Sequence, residues 1–187
     1  MECNERLEFL GDAGLQICMS KYLYNNISLN EGVLSKTRAK CVREEALNVY
    51  AEKIQLAQYL YLGVGEEHMG GRMRPAIVAD AFEALLGAIF LDSNFDKVNK
   101  VVERLVLPYL RIVLKIRDYK TIFQEKVQAD KRSVHYEVIS EEGPTNDRTY
   151  EIAVYMDDIL MGKGTGRSKK EAEQNAAKDA LNKEARR

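Results

Sequence analysis

Four carboxylates sit in two helix-length segments far apart in the chain, at positions where a helix that packs against its neighbours carries apolar residues. In the first segment, residues 4–24, Glu5, Glu8 and Asp12 are spaced three and four apart among Leu7, Leu10, Leu15 and Ile17. In the second, residues 76–91, nearly every residue is Ala, Ile, Val, Phe, Leu or Gly, and the only charges are Asp80 and Glu83. A segment that apolar is expected to be buried, and a buried carboxylate is costly unless a cation or a hydrogen-bond donor compensates it. Spacings of three and four place each pair on one helical face. If the two helices pack together, Glu8, Asp12, Asp80 and Glu83 form an oxygen-lined cluster suited to a hard divalent cation such as Mg²⁺. Two plainer readings compete: an ordinary solvated face for Glu5, Glu8 and Asp12, and a salt bridge from Asp80 and Glu83 to Arg72 or Arg74.

The elements that must position these groups are mostly helical in the front of the chain. After the first acidic helix a turn is expected over 25–30. Val33, Leu34, Val42, Ala46 and Leu47 then fall at helical spacing, and residues 56–62 continue that segment. A glycine-rich, charged loop follows at 63–74, and Pro75 stands where a helix can start. The apolar acidic helix comes next, then a turn at 92–96 and a last helix through Val98, Val101, Val102 and Leu105, which Pro108 bends or divides.

The pattern changes near 112–119. A short helix over 118–128 precedes alternating runs at 134–139 and 149–156, which read as strands, with a third over 159–164. A long helix opens at Ser168 with the capping-box pattern Ser168-Lys169-Lys170-Glu171, and its Ala172, Ala176, Ala177, Ala180 and Leu181 form a small-residue stripe able to pack closely on a sheet. The fold class expected is therefore multidomain: an all-α domain over 1–112, then a small α+β domain of α-β-β-β-α order over 117–187.

Charge is distributed unevenly. Residues 1–112 hold 13 Lys and Arg against 15 Asp and Glu, a balance of −2, whereas 163–187 hold 8 against 4, a balance of +4. Any polyanion site in the second half is thus local. Lys169 and Lys170 lie in a first helical turn, where the helix dipole disfavours positive charge, and a bound phosphate reverses that penalty. Arg167 and Lys178 could extend such a site. Cys3, Cys18 and Cys41 have no metal-ligand or disulfide-framework spacing, and reduced thiols in a cytoplasmic protein are the expectation. The 76–91 run is too short and too acidic for a membrane span.

Specific blocks carry a family likeness. Asn4-Glu5-Arg6-Leu7-Glu8-Phe9-Leu10-Gly11-Asp12-Ala13 resembles the signature stretch of bacterial ribonuclease III, and residues 79–88, from Ala79 and Asp80 through Glu83 to Ala88, resemble that family's second acidic helix. The tail, from Asp118-Tyr119-Lys120-Thr121 through Glu142-Gly143-Pro144 to Ser168-Lys169-Lys170-Glu171-Ala172-Glu173, is similar to a double-stranded RNA-binding domain. The resemblance implies a homodimeric, Mg²⁺-dependent endonuclease, with Mn²⁺ as a substitute, that cuts double-stranded RNA to 5′-phosphate and 3′-hydroxyl ends. It further implies work in ribosomal, messenger and transfer RNA processing in the cytoplasm. Glu8, Asp12, Asp80 and Glu83 would be the catalytic, metal-binding carboxylates, and Glu5 a supporting or interface residue. Thr121, Gln124 and Gln128 would meet one RNA minor groove, the loop carrying Asn146 the next, and Lys169 and Lys170 the phosphates between. Lys36, Arg38 and Lys40 are further candidates for RNA contact.

Two departures from the family pattern are visible: Gly14 stands where an apolar residue is usual, and Asn146 where a histidine is. The chain also starts almost on the signature, where family members carry further helices before it. The alternative reading is a non-catalytic double-stranded RNA-binding protein derived from a shortened ribonuclease III.

Overall fold

The structure is a computed structural model that describes residues 3–116, 118–144 and 148–185. The chain divides into two compact units, Met1–Ile116 and Arg117–Arg187. The first is helical: α1 (Glu5–Asn26), α2 (Glu31–Val42), α3 (Glu44–Lys53), α4 (Val64–His68), α5 (Pro75–Asp92), α6 (Phe95–Leu105) and α7 (Leu110–Val113), with short 3₁₀ turns before α4, α5 and α7. Local chemistry sets several starts. Asn30 Oδ1 accepts from the Val33 amide at 3.0 Å and Asn94 Oδ1 from the Lys97 amide at 3.1 Å, satisfying amides that have no partner inside the helix. Pro75 occupies the first turn of α5, where its missing N–H costs nothing.

The core of this unit gathers Leu15, Met19 and Leu23 of α1, Leu47 and Tyr50 of α3, Val78, Phe82 and Leu86 of α5, and Val98 and Val102 of α6. The Tyr50 ring meets Phe82 at a centroid distance of 5.9 Å, and its buried hydroxyl donates to the Cys41 carbonyl at 3.0 Å, so a polar atom is satisfied inside an apolar cluster.

Three expectations for this unit need correction, the first being that the loop expected over 63–74 contains α4 and a 3₁₀ turn, Gly71–Met73. The helical spacing across 31–47 does not mark one helix: Arg43 is extended, with ψ of 161°, and its carbonyl accepts from the Ala46 and Leu47 amides, so it ends α2 and starts α3. Its guanidinium donates to the Ile116 carbonyl at 3.1 Å. Nor do residues 56–62 continue the helix. Gln55 adopts a left-handed conformation at φ 53°, which stops α3, and only a 3₁₀ turn, Leu56–Tyr59, follows.

The second unit comprises α8 (Tyr119–Ala129), β1 (Val134–Glu142), β2 (Thr149–Met156), β3 (Ile159–Gly166) and α9 (Lys169–Glu184). The strands form an antiparallel sheet in the order β1-β2-β3. Asp118 Oδ1 caps α8 through the Thr121 amide at 3.0 Å, and Ser168 Oγ caps α9 through the Glu171 amide at 3.1 Å. Glu171 reaches back to the Arg167 amide at 2.8 Å, one residue before the usual capping-box target.

The alanine stripe of α9 packs on a glycine stripe of β3. A Cβ on Gly162, Gly164 or Gly166 would lie within 2.5, 2.1 or 2.6 Å of α9 main-chain atoms. Ala172, Ala176, Ala177 and Ala180 are fully buried there, and Phe123 and Val127 of α8 complete the core with Val154.

Candidate active site

The first unit's carboxylates are placed by a main-chain crossing of α1 and α5. A Cβ on Gly11 would stand 1.8 Å from the Glu83 carbonyl oxygen, and one on Gly87 would stand 2.1 Å from the Leu7 carbonyl oxygen. Only glycine at both positions lets the helices approach this closely. Each glycine is one turn from a carboxylate-bearing residue on the same face, Gly11 from Glu8 and Gly87 from Glu83, so the crossing draws the acidic faces together.

Glu8, Asp80 and Glu83 each offer a carboxylate oxygen to a group whose members lie within 4.8 Å of one another. All three side chains are half-buried. Among the described residues none of them forms an ion pair, since Arg72 pairs with Glu67 at 2.7 Å and Arg74 with Glu66 at 2.6 Å. The salt-bridge reading of Asp80 and Glu83 is thereby excluded among those residues.

Electrostatics within the group are unfavourable in the absence of a cation. Burial, then the charges of Asp12, Glu8 and Asp80, push Glu83 up to about 7. Burial and then Asp80, Glu5 and Asp12 raise Glu8, and burial followed by Glu44 raises Asp80. Like charges gathered without a counter-ion resist ionisation, and a hard divalent cation is the partner an all-oxygen donor set fits.

Asp12 stands apart from the group of three. Both of its oxygens accept from Gln16 Nε2, at 2.9 and 3.0 Å. Asp12 nevertheless exerts the largest charge effect on Glu83. Glu5 is exposed in the first turn of α1.

Gln16 and Glu44 also bear on the site, the first through its hydrogen bonds to Asp12 and the second through its charge near Asp80. The i,i+4 spacing from Asp12 was a usable signal for Gln16. No such signal existed for Glu44, whose approach depends on the unforeseen break at Arg43. Arg38 donates to Ser20 Oγ at 2.8 Å and is part of the α1–α2 contact, while Lys36 and Lys40 are exposed on α2.

In the second unit Thr121, Gln124 and Gln128 are exposed along one face of α8, and Lys169 and Lys170 are exposed in the first turn of α9. Lys169 Nζ lies 5.6 Å from the centre of the Tyr150 ring. Asn146 lies outside the described residues.

A helical domain with clustered carboxylates, followed by an α-β-β-β-α domain, defines a nuclease domain coupled to a double-stranded RNA-binding domain. Residues 1–110 match the family described as Ribonuclease-III-like, and residues 119–184 match the Double-stranded RNA binding motif.

Ribonuclease 3 of Aster yellows witches'-broom phytoplasma is 44% identical over 185 residues, covering 99% of this chain and 78% of that protein. Ribonuclease 3 of Pelotomaculum thermopropionicum is 47% identical, with coverage of 97% and 77%. The solved nuclease domain of ribonuclease III from Campylobacter jejuni, described for flexibility in a region involved in dimer formation, superposes with a TM-score of 0.54 at 40% identity, covering 55% of this chain and 73% of that one. The chain belongs to the ribonuclease III family and is a double-stranded RNA endoribonuclease. Among the described residues no helix is long and apolar enough to cross a membrane.

Proposed function

We propose that the enzyme is Mg²⁺-dependent, with Mn²⁺ as a substitute, and that Glu8, Asp12, Asp80 and Glu83 hold the cation and carry the catalysis. The observation that carries this reading is the approach of Glu8, Asp80 and Glu83 within 4.8 Å without a paired cation among the described residues. When bound, the cation activates an attacking water and stabilises charge on the scissile phosphate and the leaving 3′ oxygen. Glu8, Asp80 and Glu83 supply fixed anionic ligands, and Asp12 adds charge at the edge of the group. Glu5 supports the site or the subunit interface.

The products are 5′-phosphate and 3′-hydroxyl ends. The enzyme acts as a homodimer in which each subunit cuts one strand, so the distance between the two sites sets the overhang. The nuclease domain spans 1–112 and the RNA-binding domain 117–187. In the latter, Thr121, Gln124 and Gln128 address one minor groove, the loop with Asn146 a second, and Lys169 and Lys170 the intervening phosphates, so that A-form shape is read in preference to sequence. Its setting is the cytoplasm and its work is processing of ribosomal, messenger and transfer RNA precursors.

Cleavage of a long perfect RNA duplex by the full chain, with Mg²⁺ or with EDTA and beside Glu83→Gln, tests the proposal. Cutting that requires Mg²⁺ and is lost in the variant supports it. Cutting that persists in EDTA, or in Glu83→Gln, would overturn it.

A further inference from the structure

We infer that Gln16 is a positioning residue that holds the Asp12 carboxylate at the edge of the cation site. The inference rests on the reading of Asp12 as a member of that site. Gln16 lies one helical turn beyond Asp12 on the same face of α1, and its side-chain amide nitrogen donates to both carboxylate oxygens, at 2.9 and 3.0 Å. Both residues are half-buried.

The geometry gives Gln16 a role that neither an apolar nor a cationic residue could perform. An aspartate within a helix can turn back toward its own backbone or rotate outward to water. A single nitrogen bonded to both oxygens restrains that rotation. A carboxylate has about four lone-pair positions, so one bifurcated contact leaves each oxygen able to accept from a cation. Lysine or arginine at position 16 would restrain Asp12 but would also cancel charge that the site needs. A neutral amide orients without neutralising.

The adjacent hydrogen bonds supply a control. Ser20 Oγ donates to the main-chain carbonyl of Gln16 at 2.7 Å and accepts from Arg38 at 2.8 Å, which ties α1 to α2 without touching the Gln16 side-chain amide. Removing the Ser20 hydroxyl perturbs the same turn of helix while leaving the Asp12 contact in place.

The test is titration of the full-length protein with Mn²⁺, followed by electron paramagnetic resonance, for wild type, Gln16→Met, Asp12→Asn, the double variant and Ser20→Ala. Duplex binding in EDTA and thermal melts in EDTA are run alongside. Gln16→Met keeps side-chain length and helix preference but removes the donor. It should weaken Mn²⁺ binding about 10-fold, the low end for loss of a residue that orients a metal ligand, with duplex binding in EDTA unchanged. In the Asp12→Asn background it should add nothing, because both changes act through one carboxylate.

Mn²⁺ affinity equal to wild type in Gln16→Met, when Asp12→Asn has weakened it, would overturn the inference and leave the site reading intact. Full additivity of the two changes would overturn it as well, as would an equal loss in Ser20→Ala, which would reveal a general helix effect. Unaltered Mn²⁺ binding in Asp12→Asn would overturn the assignment of Asp12 to the site, and this inference with it.

Discussion

Gly11 and Gly87 face each other across the α1–α5 crossing, so close that a Cβ on Gly11 would lie 2.9 Å from the Gly87 nitrogen and one on Gly87 would lie 3.1 Å from the Gly11 nitrogen. The carboxylate group is thus positioned by backbone against backbone. Nothing in such a contact can rotate aside to admit extra volume, and the helices themselves must separate.

Gly11→Ala should therefore destabilise the nuclease domain by about 3 kcal/mol or more, the upper range for overpacking, and should depress cleavage by spreading the carboxylates. Gly14→Ala, three residues along the same helix, should do the opposite. A Cβ there meets only Val98 Cγ1, at 3.8 Å, which is ordinary contact. Removing a mid-helix glycine should stabilise by roughly 0.5–1 kcal/mol. Thermal melts of the two variants should move in opposite directions. A shared direction would show that the crossing is less rigid than its geometry indicates.

Glu83→Gln should abolish cleavage, since it removes one of the carboxylates proposed to hold the cation. Duplex affinity should hold, because the RNA-binding elements are in the other unit. Cleavage rates and filter binding on one preparation separate the two effects, and a parallel loss of affinity would assign Glu83 a part in RNA binding.

The pH dependence follows from Glu83, which is raised to about 7 from an ordinary value of 4.5. The folded, cation-free protein holds this proton more tightly than the unfolded chain does. Its contribution to stability is therefore complete below about 4.5 and is lost as pH rises through about 7. In EDTA the melting temperature of wild type should fall between pH 6 and pH 8 by more than that of Glu83→Gln. With Mg²⁺ present the difference should shrink, and the Mg²⁺ concentration for half-maximal cleavage should drop over the same interval, because cation and proton compete for one carboxylate. Parallel melting curves for the two proteins would remove Glu83 as the source.

Replacing Lys169 and Lys170 together with alanine should weaken duplex binding and reduce the slope of log affinity against log salt by about 1–2, each lysine accounting for roughly 0.7–0.9 of a released counterion. Binding across a series of salt concentrations reads this directly, and an unchanged slope would place both lysines away from phosphate.

Much of this was legible before the structure because the informative residues violate local expectation. Asp80 and Glu83 are the only charges in a run of otherwise apolar residues, and such an exception demands a compensating partner. Ser168, Asp118 and Pro75 mark helix starts by chemistry that acts within three or four residues. What escaped notice depends on distant contacts or on single backbone angles. Arg43 breaks a helical pattern that its apolar neighbours continue, and Gln55 ends another by adopting a left-handed conformation that glutamine rarely takes. Gly11 and Gly87 stood within the recognised blocks, yet what makes each indispensable is the other, 76 residues away.

The glycine stripe of β3 has a consequence for how this protein can diverge. Every replacement for glycine carries at least a Cβ, so positions 162, 164 and 166 admit no conservative substitute while α9 lies where it does. A lineage can adjust the exposed side chains of α8 one change at a time. It cannot drift along β3 in the same way. The strand that meets α9 would stay nearly invariant while the helix proposed to meet RNA explores new sequences.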